Sequence, residues 1–151
     1  MDDAQFWTIV RDIIEEKIVF NKVLGAKVDS LDFGHVRVRI DMQDHLVGNF
    51  MHGILHGGVT SAVLDMVGGV AAWTGSIPKR EYRSNEEKMR SFTYVGTIDM
   101  RVDYLRPGRG KYFIGTGYVL RVGKKIAVTR MDLHNEQEVL IATATATYNV
   151  G

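Results

Sequence analysis

Residues 59–74 read VTSAVLDMVGGVAAWT, and this stretch decides the fold. Before its tryptophan, the polar residues are Thr60, Ser61 and Asp65. A helix that is apolar nearly all round belongs in a protein core. The stretch is shorter than the ~20 residues that a membrane span requires, and it contains a carboxylate. It therefore predicts one buried central helix, over about residues 58–74.

The segments before this helix predict a second helix and a β-hairpin. Residues 2–21 repeat apolar side chains at three- and four-residue steps, the rhythm of an amphipathic helix, and Gly25 would end it. Residues 27–42 alternate apolar and polar side chains on either side of Gly34, which is the period of two strands. Residues 43–58 are polar and contain several glycines, and they predict a loop before the central helix.

After the central helix, a charged stretch leads into a run of strands. Residues 78–90 carry five basic and three acidic side chains, which predicts a solvated surface segment with a short helix near residues 85–92. Four strands then follow with short turns between them, over residues 97–105, 111–121, 125–134 and 139–150. Short turns make consecutive strands antiparallel neighbours.

An antiparallel sheet with one apolar helix has one obvious packing solution, in which the sheet curls around the helix and buries it. The pattern therefore predicts an α+β chain with the hotdog fold. We expect an antiparallel sheet of five to six strands wrapped around the central helix, in a single domain over residues 1–151.

Composition excludes several classes of function. The 151 residues contain no cysteine, which excludes disulfides, cysteine-ligated zinc and thiol nucleophiles. A net charge of +1 argues against nucleic-acid binding, and the acidic N-terminus is unlike a signal peptide. The five histidines lack the paired spacing of a metal site. We therefore expect a cytoplasmic protein with no metal or cofactor and no membrane or nucleic-acid partner.

The strongest chemical signal is Leu55-His56-Gly57-Gly58, which opens the central helix. Consecutive glycines leave the backbone N–H groups at a helix start unshielded, so a ligand oxygen can approach them closely. The helix dipole adds partial positive charge at the same place. This is the layout of an oxyanion hole, although two glycines before a helix also form an ordinary tight turn.

Asp65 is the second candidate, because it lies within the apolar helix. A buried, ionised carboxylate is costly unless it is partnered, and a buried carboxylate is also suited to act as a general base. A structural aspartate bonded to a hydroxyl such as Ser61 is the alternative. Asp65 follows Gly57 by eight residues, about 12 Å along a helix axis. If both groups serve one reaction, the carboxylate must come from another subunit, which predicts a symmetric dimer or a dimer of dimers.

Three stretches of this sequence resemble a known family. Residues 47–65, with Val47-Gly48-Asn49, Leu55-His56-Gly57-Gly58-Val59 and Leu64-Asp65, resemble the signature of PaaI-like hotdog acyl-CoA thioesterases. Residues 96–110 (GTIDMRVDYLRPGRG) and 141–148 (IATATATY) are similar to the YigI branch of that family, described as medium- and long-chain acyl-CoA thioesterases. The resemblance implies hydrolysis of acyl-CoA to free fatty acid and CoA.

The resemblance also implies roles for single residues. The N–H of Gly57 would polarise the thioester carbonyl, Asp65 would be the base or the nucleophile, and Thr97 would orient the water. Asn49 would position the carbonyl or the water, and it stands seven residues before His56, where many members have six. His56 could be a base, but we assign it to holding the glycine turn.

Basic residues are the candidates for contact with the nucleotide. Residues 101–125 hold seven basic side chains against one acidic side chain. Basic side chains on a strand often belong to a solvent-exposed surface with no binding role, but here they would also attract the phosphates of coenzyme A. The expected substrate-contact residues are Gly58, Arg106, Pro107, Gly108, Arg109 and Lys124.

Two other functions are compatible with the predicted fold. A hotdog dehydratase or hydratase needs a catalytic histidine, and the extended histidine-phenylalanine-proline motif of those enzymes is missing. A non-catalytic acyl-CoA-binding regulator would lack the helix acid and carry a DNA-binding helix pair, for which one N-terminal helix is too little. Hydrolysis is the leading prediction.

Overall fold

The computed structural model describes residues 2–151, and within them the helices and strands follow the predicted order. The α-helices are α1 (Asp3–Asp12), α2 (Val19–Leu24), α3 (Gly57–Ser76) and α4 (Asn85–Arg90). The strands are β1 (Lys27–Asp32), β2 (His35–Asp41), β3 (Val47–Asn49), β4 (Ile54–Leu55), β5 (Gly96–Tyr104), β6 (Tyr112–Val122), β7 (Ile126–Asn135) and β8 (Leu140–Asn149). None of the helices in this part of the chain has the length and apolar character of a membrane span.

Six of the strands form one antiparallel sheet in the order β1-β2-β6-β7-β8-β5, and α3 packs against its middle strands. The predicted hotdog fold, with five to six strands around one helix, is therefore confirmed. Gly117 of β6 allows the close approach of helix and sheet, because a Cβ there would overlap the Val67 carbonyl of α3. The strand β5 lies at one edge of the sheet and β1 at the other.

The prediction that α3 is buried all round is only half right. Val63, Leu64 and Val67 face the sheet and are fully buried. The opposite stripe, which includes Asp65 and Met66, is only partly buried in this single chain. The sheet covers one side of an apolar helix, and the other side lies open to a groove.

The N-terminal helix expected over residues 2–21 is interrupted. After α1, residues Ile13–Lys17 form a π-helical turn, in which the Ile18 N–H donates to the Ile13 carbonyl instead of to that of Ile14. The buried side chain of Asn21 donates to the freed Ile14 carbonyl at 3.0 Å. The break reorients α2, which ends at Gly25 with φ +67°.

Two connecting segments complete the fold. The predicted loop at 43–58 contains a 3₁₀ turn and the small β3–β4 hairpin, so it is more ordered than expected. The charged segment at 78–90 is mostly exposed, as predicted, and contains α4. Directly after α4, Ser91 is held in the core, because its Oγ accepts a hydrogen bond from Trp73 Nε1 at 2.9 Å.

Candidate active site

The first part of the site is the turn formed by Leu55–Gly58, here called the glycine turn. His56 is the N-cap of α3, and its Nδ1 accepts a hydrogen bond from the Gly58 N–H at 2.7 Å. Gly57 is the first helical residue, and its N–H has no acceptor among residues 2–151. Only one of the two glycine N–H groups is therefore open to a ligand. The predicted role of His56 in holding this turn fits its geometry, whereas Gly58 offers no free donor.

Glycines within this turn and in two neighbouring segments make room for its backbone. A Cβ at Gly48 would lie 2.7 Å from His56 Cα, and a Cβ at Gly58 would lie 2.9 Å from His56 Nδ1. A Cβ at Gly108 would lie 2.6 Å from Leu55 Cβ, and the Gly108 carbonyl accepts from the Leu55 N–H at 2.9 Å. The Pro107–Gly108 turn after β5 is thus packed directly against the glycine turn.

Tyr104 belongs to this part of the site, although the sequence reading gave it no role. Its hydroxyl donates to the Gly57 carbonyl at 3.1 Å. Its ring lies 3.4 Å from the place where a Cβ on Gly57 would be. The residue lies in the stretch that resembles the YigI branch, and its hydrogen bond in the folded structure shows that it reaches the start of α3.

Asn49 lies beside the glycine turn, as expected. It lines a cavity of about 540 Å³ together with His56 and Gly57. Its Oδ1 accepts from the Met51 N–H at 3.1 Å, so the side chain is held within the β3–β4 hairpin. The structure therefore brings three of the predicted site residues together.

The second part of the site, here called the carboxylate site, is formed by Asp65, Thr97 and Tyr148. Thr97 Oγ1 donates to Asp65 Oδ1 at 2.8 Å, and the Tyr148 hydroxyl donates to the same oxygen at 3.0 Å. Asp65 Oδ2 accepts no hydrogen bond from the residues that the structure describes. One carboxylate oxygen is thus fixed and the other is open.

Strand pairing explains why these residues meet. Thr97 of β5 and Tyr148 of β8 are register partners, and both lie beside α3 at the level of Asp65. Burial, followed by the neighbouring Asp65 carboxylate, raises the pKa of the Tyr148 hydroxyl, which keeps it protonated as a donor. Tyr148 was not among the predicted site residues, although it is the polar aromatic residue at the end of the alternating stretch 141–148. Ser61, the alternative partner considered for Asp65, bonds to the Gly58 carbonyl instead.

The environment of Asp65 differs from the expectation in one respect. The carboxylate is partly exposed, because it faces a groove of about 610 Å³ that runs along the open stripe of α3. The predicted full burial of Asp65 is wrong, because the sheet covers only one side of the helix. The groove gives a substrate access to the carboxylate.

The predicted basic residues are divided between the two ends of the sheet. Arg106 and Arg109 follow β5 at the end nearest the glycine turn, and their guanidinium groups bond to the carbonyls of Leu140 and His52. Lys124 lies in the β6–β7 turn at the opposite end, where its carbonyl accepts from Arg80. The arginines and Lys124 therefore do not form one patch.

Among residues 2–151, no three histidine, aspartate or glutamate side chains form a group that could hold a metal ion. The groups that the site leaves open are the N–H of Gly57 and Oδ2 of Asp65. On one chain these groups lie at the first and ninth residues of the same helix.

Comparison with known proteins agrees with the predicted family. The family model described as the thioesterase superfamily matches residues 52–142. The medium/long-chain acyl-CoA thioesterases YigI of Salmonella typhimurium and Escherichia coli are each 40% identical to this chain over 143 residues, which is 95% of this chain and 92% of theirs.

Solved structures give the same result. A protein from Shewanella oneidensis, described as related to the thioesterase superfamily, is 46% identical, with a TM-score of 0.92 over 98% of this chain and 97% of that one. Escherichia coli PaaI, at 19% identity, shares the fold with a TM-score of 0.78 over 98% of this chain and 94% of its own. The predicted resemblance to PaaI-like proteins and their YigI branch is confirmed, and the chain belongs to the thioesterase superfamily of enzymes.

Proposed function

We propose that this protein hydrolyses acyl-CoA thioesters at sites shared between two copies of the chain. The observation that carries the proposal is the pair of open groups on α3: the Gly57 N–H, which can bind an oxyanion, and Asp65 Oδ2, which can accept a proton. The YigI relatives, named as acyl-CoA thioesterases, support the choice of substrate.

The Gly57 N–H would bind the thioester carbonyl oxygen. It points outward from the positive end of a 20-residue helix, where the dipole favours the negative charge that develops on that oxygen. The bond from His56 to the Gly58 N–H fixes the turn, so the donor needs no reorganisation during the reaction. Asn49 lies in the same cavity and would orient the carbonyl or the water.

The Asp65 carboxylate would activate the water. Because Thr97 and Tyr148 both donate to Oδ1, Oδ2 is left to accept a proton from water as the water oxygen attacks the carbonyl carbon. The tetrahedral intermediate then collapses, the carbon–sulfur bond breaks, and the proton passes to the departing sulfur of coenzyme A. The products are a free carboxylic acid and a thiol.

Two features favour a second copy of the chain as the source of the other half of the site. Asp65 lies about 12 Å along the helix axis from Gly57, beyond the reach of its side chain. The strand β5 lies at the edge of the sheet with no strand on its outer side, and its apolar Ile98 is 57% exposed. An open edge strand with apolar side chains is a surface that a second copy would cover by symmetric pairing.

Coenzyme A would be recognised next to the glycine turn. Arg106 and Arg109 are exposed there, and their positive charges would attract the phosphates of the nucleotide. Lys124 lies at the other end of the sheet, so we assign it no part in this contact. The assignment of phosphate recognition to the two arginines rests on their charge and on their position in the segment that packs against the glycine turn.

Mixed dimers test the shared site directly. Asp65→Asn removes the base, and Gly57→Pro removes the N–H at the first helical position, where proline is tolerated. His56 already has the extended conformation that a following proline requires, with φ −64° and ψ 135°. Each variant alone should release almost no thiol from acyl-CoA, because every site lacks one of its two groups.

Random mixing gives about half mixed dimers, each with one intact site, so roughly a quarter of the wild-type activity should return. Both chains carry different affinity tags, so that the mixed dimers can be isolated and counted. Verified mixed dimers that stay inactive would contradict the shared site. Wild-type protein that binds acyl-CoA without releasing thiol would instead favour the binding module considered above.

A further inference from the structure

The groove beside Asp65 has one polar end and an otherwise mostly apolar lining. Its polar end is the carboxylate site, and α3 supplies the floor with Ala62, Met66 and Gly69. The π turn at Ile13–Lys17 packs beside β1, whereas Thr97 lies on β5 at the opposite edge of the sheet. The groove therefore crosses the open side of α3, between the N-terminal segment and the edge strand.

We infer that Phe20 and Gly69, which line this groove beyond Asp65, determine which lengths of acyl chain the protein accepts. The inference rests on the proposed function and extends it to the class of acyl chain. An acyl chain whose thioester carbon lies near Asp65 would run along the mostly apolar lining of the groove, where each methylene gains by burial.

Phe20 forms part of the wall because of the break in the N-terminal helix. The π turn ends at Ile18, whose extended backbone starts α2 in a new direction. Asn21 stabilises the break by bonding to the Ile14 carbonyl, and Ile18 and Phe20 then face the groove. The Phe20 ring is 57% exposed, so a bound chain would bury apolar surface that water now covers.

Gly69 forms part of the floor one helical turn beyond Asp65. A Cβ at Gly69 would lie 3.4 Å from Tyr148 Cε1 and 3.9 Å from Val95 Cγ1, which is ordinary contact. A methyl group therefore fits there and occupies space in the groove. At the preceding residue, Gly68, a Cβ would lie 2.8 Å from Met131 Sδ and would also collide with the Tyr148 hydroxyl, so the two glycines have different roles.

The test is a series of saturated acyl-CoAs from short to long, with thiol release measured for each. In Phe20→Ala, KM should rise for chains long enough to reach the ring, by roughly fourfold for each methylene left uncovered. In Phe20→Leu, which keeps an apolar side chain, most of that loss should be restored. In Gly69→Ala, kcat/KM for long chains should fall severalfold relative to short ones.

Val19→Ala is the matched control, because Val19 precedes Phe20 on α2, is 75% exposed and lies outside the groove lining. Its chain-length profile should equal that of the wild type. Thermal unfolding of each variant checks that it is folded. Phe20 is largely exposed and lies outside the core, so Phe20→Ala should leave the core unchanged. Changes that are equal at all chain lengths in both Phe20→Ala and Gly69→Ala would overturn this inference while leaving hydrolysis intact. A wild type that releases no thiol from any member of the series would overturn the proposed function and this inference with it.

Discussion

The glycine turn and the carboxylate site are both supplied by α3, but they are built in different ways. The glycine turn is capped from within its own sequence, because His56 accepts a hydrogen bond from the Gly58 N–H two residues later, and Gly48 leaves space for the His56 backbone. The carboxylate site joins three distant elements, since Asp65 on α3 meets Thr97 on β5 and Tyr148 on β8.

The difference follows from the group that each site presents, which is a main-chain N–H in the glycine turn and a side-chain carboxylate in the carboxylate site. A main-chain N–H needs only a correctly folded turn, and a short motif specifies it. A side-chain carboxylate with one fixed and one open oxygen needs donors from a sheet whose register is already set. The glycine turn should therefore respond to substitutions that affect capping, and the carboxylate site to substitutions that remove a hydroxyl or the acid itself.

The largest expected effect is at the carboxylate. Asp65→Asn should lower kcat for acyl-CoA hydrolysis by at least ~10²-fold, the scale of losing a general base. The amide has nearly the same shape, so the protein should stay folded, which the unfolding midpoint checks. Undiminished turnover in this variant would remove Asp65 from the mechanism.

Thr97→Ala is the comparison within the same site, because it keeps the carboxylate and removes one donor to Oδ1. Its kcat should fall by about tenfold, the usual effect of one hydrogen bond to a charged group. A loss equal to that of Asp65→Asn would show that the hydroxyl does more than orient the acid.

Tyr148 gives the carboxylate site a pH signature. Its pKa is raised in the folded protein above the value of 10.0 for a free tyrosine. The folded state therefore holds this proton more tightly than the unfolded state, and the resulting stability is present below pH 10 and lost as the pH rises above it. The free energy of unfolding of the wild type should fall by up to ~1.4 kcal/mol per pH unit relative to Tyr148→Phe. Urea titrations above pH 10 measure this, and parallel curves for the two proteins would refute it.

The glycine turn is tested by its cap. His56→Ala should lower the free energy of unfolding by about 1 kcal/mol, because the Gly58 N–H loses its acceptor. His56→Asn supplies another acceptor at the N-cap and should recover both stability and most of the activity. If the asparagine variant recovered stability but stayed inactive, His56 would have a chemical role beyond holding the turn.

The smallest effect is expected at the exposed arginines. Replacing Arg106 and Arg109 together by alanine should raise KM for acyl-CoA roughly threefold with little change in kcat, because exposed ion pairs are individually weak. A short thioester that lacks the nucleotide should show no change. Lys124→Ala, at the far end of the sheet, is the control, and an equal rise in KM there would contradict phosphate recognition near the glycine turn.

The sequence by itself determined much of the fold and half of the site. The apolar run at 59–74, the alternation in the strands and the turns between them predict the sheet, the helix and their packing, because these periods are local. The motif at His56–Gly58 likewise predicts an open N–H at a helix start. The spacing from Gly57 to Asp65 predicts that the two groups cannot meet on one chain.

The tertiary structure decided what lies around Asp65. Tyr148 reaches the carboxylate only because β8 lies next to β5 with Thr97 as its register partner, and no local pattern encodes that pairing. The open side of α3, the break after the π turn and the entry of Phe20 into the groove depend on how distant segments pack. Such contacts arise from the whole folded chain, because the residues that make them are far apart in sequence and meet only when the sheet has formed.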